Sequence, residues 1–218
     1  MACYARLGHA LGLRLEIEFS DARRGRVGGS RDADPVHAAM GEFEAAHLRA
    51  LGFEVAIDEP YQHYQFAGRA DVLAWSRDAR TLLHIENRTR FPNLQEAAGS
   101  YNAKRAYLAA VIADRLAVRG GFVSVTHVMA ALWSAEVLHA IRLRRATFAA
   151  LCPDPTDPFE AWWAGRQPDH PRSSALVLLD PFARPRQRLW VGLAALDGAR
   201  PRMRGYPEAV GLLRSRDD

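Results

Sequence analysis

Hydrophobic and polar residues change their period several times along this chain, and each change marks an element. Over residues 35–51, Val36, Met40, Phe43, Leu48 and Leu51 recur at helical spacing on one stripe. Asp34 stands where an N-cap belongs and Pro35 in the first turn. Gly52 ends that helix, and FEVAID (53–58) reads as a strand. In GRADVLAW (68–75), Arg69, Asp71, Leu73 and Trp75 share one face. RDAR (77–80) turns the chain into LLHIENR (82–88). There Leu82, His84, Glu86 and Arg88 point one way, and Leu83, Ile85 and Asn87 the other. Pro92 and Asn93 announce a helix from about 94 to 116. Its apolar side carries Tyr101, Leu108 and Ile112, with Gln95, Asn102 and Arg105 in one polar band and Glu96, Ser100 and Lys104 in another. FVSVTHVMAALW (122–133) is apolar on both faces, as a buried strand is.

The order helix-strand-strand-strand-helix-strand predicts an α/β core with a mixed sheet. A C-terminal α+β extension begins at about residue 134. It has two helical pieces over 134–152, a segment carrying Trp162 and Trp163 at the edge of the core, and a strand pair joined by PFARPR (181–186). The arginine-rich stretch 184–216 is either a phosphate-tracking tail or a solvated basic face. Residues 20–34 are polar, charged and glycine-containing, and read as a linker.

Composition narrows the function classes. No apolar run approaches the roughly 18 residues of a membrane span, and no signal-peptide pattern opens the chain, so a cytoplasmic protein is expected. Cys3 and Cys152 fit neither a disulfide framework nor a zinc site. The net charge of +4 is compatible with a nucleic-acid partner without requiring one. Of 29 basic residues only Lys104 is a lysine, an arginine bias expected of a GC-rich bacterial genome. That single lysine follows the Glu86 strand directly. It is either a retained functional ammonium or a surface residue.

The chemistry concentrates between residues 68 and 107. Asp71 and Glu86 lie on neighbouring strands of a hairpin, and Lys104 lies on the helix that follows. Two carboxylates beside one ammonium can hold a divalent ion against a phosphate, as phosphodiester cleavage needs. Glu44 lies on the apolar stripe of the first helix and needs a partner there. A metal is one such partner; pairing with Arg49 or solvent at the stripe's margin is the other. Tyr61, His63, Tyr64 and Phe66 either stack on bases or pack locally in a hairpin.

An Asp, then a strand ending Glu-x-basic, then a helix, resembles the PD-(D/E)xK nuclease-like superfamily over residues of about 36–130. The resemblance implies a restriction-endonuclease-like core, Mg²⁺ or Mn²⁺ as cofactor, and DNA as partner. It assigns the metal to Glu44, Asp71 and Glu86, catalysis to Asp71, Glu86, Arg88 and Lys104, and nucleic-acid contact to Arg69, Arg88, Arg90, Lys104 and Arg105. Arg88 occupies the position of the family's lysine. Arginine keeps its charge and clamps phosphate but does not serve as a base. Some members carry the lysine on the following helix, where Lys104 lies. Two functions follow: a metal-dependent DNA phosphodiesterase, or an inactive nuclease-like DNA-binding module of a regulator or of a defence or toxin-antitoxin system. Residues 1–19 resemble the last helix and exit strand of a lambda-repressor-like helix-turn-helix regulator, which favours the second. Oligomeric state is left open, a homodimer included.

Overall fold

The computed structural model describes residues 34–184 and 187–217; the helix-turn-helix-like stretch and the 20–33 part of the linker lie outside them. The chain forms α1 (Pro35–Ala50), β1 (Glu54–His63), β2 (Phe66–Ser76), β3 (Thr81–Arg88), α2 (Leu94–Arg115) and β4 (Ser124–Leu132). It continues through α3 (Ala135–Leu143), α4 (Arg145–Leu151), α5 (Asp157–Trp163), β5 (Arg172–Leu179), β6 (Trp190–Gly192) and α6 (Tyr206–Asp217).

The six strands form one open sheet in sequence order. The β1–β2, β2–β3 and β5–β6 pairs are antiparallel, whereas β3–β4 and β4–β5 are parallel. α2 provides the crossover that a parallel β3–β4 pair requires. On the face of β3 that carries Leu83 and Ile85, the core contains Met40 and Leu48 of α1, Trp162 of α5 and Ala209 of α6. The other face packs Tyr101 of α2 against Met129 and Leu176, with Leu138 and Phe148 of α3 and α4. β3, β4 and β5 are therefore buried on both sides, which accounts for their continuous apolar runs. No helix among the described residues is long and apolar enough to cross a membrane.

Helix ends follow local chemistry. Asp34 caps α1 by accepting the His37 N–H at 2.9 Å, and Asn93 caps α2 by accepting the Glu96 N–H at 3.2 Å. His47 Nε2 donates at 2.8 Å to the Trp163 carbonyl, and its ring stacks on that indole.

Two features differ from the sequence expectation. The polar tail contains a real helix, α6, whose Tyr206 hydroxyl donates to Asp34 at 2.9 Å. Its apolar stretch is short, contains Pro207 and Gly211, and runs into arginines, so composition hid it. Lys104, expected in a polar band of α2, is only 1% exposed. The helix bears Tyr101, Lys104, Leu108 and Ile112 on one buried face, and the ammonium is tolerated there because a carboxylate receives it.

The placement of the site comes from a break in the sheet. The β2–β3 ladder ends at Val72↔Ile85, while β1 and β2 stay paired as far as His63↔Phe66. Asp58, opposite Asp71 in the β1–β2 register, is left out of the ladder with a left-handed φ of 52°. Beyond Asp71 the hairpin runs on as a two-stranded arm. A cleft of about 1150 Å³ lies between that arm, the segment after β3, and α2.

Candidate functional site

Arg88 and Lys104 line the floor of this cleft, and the buried carboxylates they pair with lie behind them. Glu86 is wholly buried and receives a cation on each oxygen. Arg88 donates to Oε1 at 2.7 Å, and Lys104 donates to Oε2 in a short contact. Burial alone would raise the Glu86 pKa, but Lys104 and Arg88 outweigh it and hold the carboxyl well below the ordinary range. Arg88 also reaches within 4.0 Å of Asp71, so one guanidinium stands between the two carboxylates.

Asp71 replaces the missing ladder bond. Its Oδ2 accepts the Asn87 backbone N–H at 2.7 Å, and its Oδ1 lies 3.5 Å from His37 Nε2 of α1. That contact fixes the end of β3, and with it the directions of the residues on both sides of Asn87.

Alternation then separates the carboxylates. Glu86 and Arg88 face α2, whereas Asn87 faces α1. Glu44 of α1 accepts from Asn87 Nδ2 at 2.9 Å, on the face of the sheet opposite Lys104. Glu44 is wholly buried, and its Oε1 makes no hydrogen bond. Burial pushes its pKa up to about 8, the Asn87 amide opposes this, and the charge of Asp71 adds to it. At neutral pH this carboxyl carries a proton.

Behind Glu86, His84 Nε2 lies 3.4 Å from Oε2. The Nδ1 atoms of His84 and His127 are 3.1 Å apart, so one ring donates to the other. With His127 as donor, His84 keeps a proton on Nε2, facing Glu86. Burial lowers both histidine pKa values, so the pair is neutral at physiological pH.

The structure therefore brings Asp71, Glu86, Arg88 and Lys104 into one cluster. It sets Glu44 across the sheet from Glu86, joined to the cluster through Asn87. Arg69, Arg88, Arg90 and Lys104 line the cleft, together with Arg115. Arg69 pairs with Asp58 at 2.6 Å and Arg115 with Glu59 at 2.7 Å, while Arg90 lies over the Tyr206 ring. Arg105 is not a lining residue; it donates to the Leu151 carbonyl at 3.1 Å and ties α2 to α4.

His37, Asn87 and His127 were not singled out from sequence. His37 follows the Asp34 cap, and Asn87 is the central residue of Glu-x-basic, but their partners come from another element. His127 acquires meaning only through the register His84↔His127.

A resident divalent ion would need net negative charge and accessible carboxylate oxygens here. Glu86 and Asp71 bring two negative charges, and Arg88 and Lys104 bring two positive ones, with Glu44 protonated and His84 and His127 neutral. The cluster is electroneutral as it stands, and both Glu86 oxygens are occupied by nitrogen donors. Arg88 stands between Glu86 and Asp71, where an ion shared by their oxygens would have to sit. Among the described residues, no group of three or more His, Cys, Asp or Glu side chains is arranged to hold a metal ion. This arrangement does not fit a resident Mg²⁺ or Mn²⁺ unless Arg88 moves away.

No protein-family model matches the chain, and no curated protein matches it significantly.

Proposed function

We propose that this chain is a nuclease-like nucleic-acid-binding domain, with a restriction-endonuclease-like arrangement and a guanidinium in place of the catalytic metal. The element order and the mixed sheet support the arrangement. One observation carries the functional reading: Arg88 bridges Glu86 and Asp71 at the floor of an arginine-lined cleft. A planar guanidinium suits phosphate geometry. Arg69, Arg90 and Arg115 on the walls have ion-pair or stacking partners near solvent, where exchange for a phosphate costs little. DNA is the partner this reading assigns to the cleft.

The test is binding of fluorescent oligonucleotides in Mg²⁺ and in EDTA. Equal affinity in both, with a steep salt dependence, is the expected result. Binding that vanishes in EDTA would overturn the metal-free reading.

The second reading is a metal-dependent DNA phosphodiesterase. It is favoured by Glu44, whose buried oxygen without a hydrogen bond and raised pKa match a carboxyl awaiting a cation. Lys104 beside Glu86 is the ammonium that this reading assigned to catalysis. It requires Arg88 to leave Glu86 when substrate enters. Incubating plasmid and single-stranded DNA with the protein in Mg²⁺, Mn²⁺ or EDTA decides it: metal-dependent cleavage, abolished by Lys104→Ala, would establish this reading over the first.

A further inference from the structure

We propose that the tip of the β1–β2 arm is a base-stacking platform, so that the cleft takes single-stranded nucleic acid in preference to perfect duplex. The inference rests on the cleft being a nucleic-acid site and adds the form of its ligand. Tyr64 is 86% exposed at the hairpin turn. Its φ of 51° is left-handed, a conformation that glycine, asparagine or aspartate fills at lower cost in such turns. Folding alone gives no reason for a bare tyrosine at a strained position. Phe66, the next aromatic, is also exposed.

Behind them the rings are already ordered. His63 stacks on Tyr107 of α2 at 4.4 Å and 15°, and Phe66 stacks on the same ring at 5.2 Å and 25°. His63 meets Tyr64 edge-on at 4.7 Å. The arm is thereby braced against α2 and presents its outer aromatics without further ordering, which lowers the entropy lost on stacking. Phe66 also lines the cleft, beside Gln62 and Gln65. Arg69 and Arg115 lie farther along the same walls, and Arg88 at the floor. Aromatic faces beside amides and guanidiniums match a strand whose bases are unpaired and whose backbone is anionic. A duplex keeps its base faces stacked inside and offers the arm only its backbone.

The experiment measures fluorescence anisotropy of a labelled single-stranded oligonucleotide and of its blunt duplex. The proteins are wild type, Tyr64→Gly, and the Tyr64→Ser/Phe66→Ser double variant. Wild type is expected to favour the single strand. The double variant should lose roughly tenfold or more on the single strand, as expected for lost base–aromatic stacking, and change little on the duplex. Tyr64→Gly relieves the left-handed strain, so its thermal midpoint should rise while its single-strand affinity falls. A merely structural tyrosine would not give that opposition. Hairpin variants that bind the single strand as wild type does would overturn the platform and leave the cleft reading intact. Wild type that binds neither form would overturn the cleft reading, and the platform with it.

Discussion

Glu86 and Lys104 meet in a contact from which solvent is almost wholly excluded, the carboxylate on β3 and the ammonium on α2. The pair links the sheet to its crossover helix at the point where the cleft begins. Removing one partner unbalances the charge of the buried cluster, whereas removing both leaves Arg88 and Asp71 to balance each other.

Lys104→Met should therefore destabilise the fold by about 3 to 5 kcal/mol. The Lys104→Met/Glu86→Gln double variant should recover part of that loss. Urea denaturation of the four proteins of the cycle checks it. Additive losses would mean that the two charges are not coupled.

Glu44 makes stability fall with rising pH. Its folded pKa of about 8 lies above the unfolded value near 4.5, so the native state holds a proton that the unfolded chain has lost. The destabilisation begins above the unfolded value and is complete above the folded one. Glu44→Gln keeps the shape and abolishes that titration. Relative to wild type it should gain on the order of a few kcal/mol between pH 4.5 and 8, with little difference at pH 4. Unfolding curves across that window that run parallel would refute the assignment.

The acid limb has other causes. His84 and His127 have depressed folded pKa values, so the unfolded chain takes up their protons first and stability drops as pH falls below about 6.5. Glu86 acts in the same direction lower down, because its stabilisation is lost as it protonates. His127→Gln should flatten the upper part of this limb alone. Chemical denaturation at pH 7 and pH 5 measures the difference.

Arg88→Ala removes the cation between Glu86 and Asp71. With Lys104 left as the only cation, the cluster becomes negative and frees Glu86 Oε1. Calorimetry should then detect tighter Mn²⁺ binding than in wild type, and Asp71→Asn in the same background should weaken it. A variant that binds Mn²⁺ no more tightly would show that these carboxylates do not converge on a metal.

Much of this architecture was legible in the sequence because it rests on short-range regularities. Period-two alternation placed Glu86 and Arg88 on one face and Asn87 on the other, and the Asp34 cap located the start of α1. The misreadings concern burial and faces. Lys104 meets Glu86 as its position after that strand implies, but the helical wheel puts it in a polar band, because an isolated helix does not show that a carboxylate receives the ammonium inside the core. Glu44 belongs to the inward stripe of α1, but its counterpart is Asn87, since α1 and α2 cover opposite sides of the sheet. No local pattern marks the ladder break at Asp71. That break arises where β1 turns through a left-handed aspartate and an aspartate side chain replaces a backbone partner.

The chain's sole lysine is 1% exposed, so guanidinium groups make up the basic side-chain surface of the described fold. Reagents that acylate amines will find no ε-amine on the native protein. Modification of Lys104 must await an opening of its contact with Glu86, and its rate under mild labelling therefore reports that opening without any engineered probe.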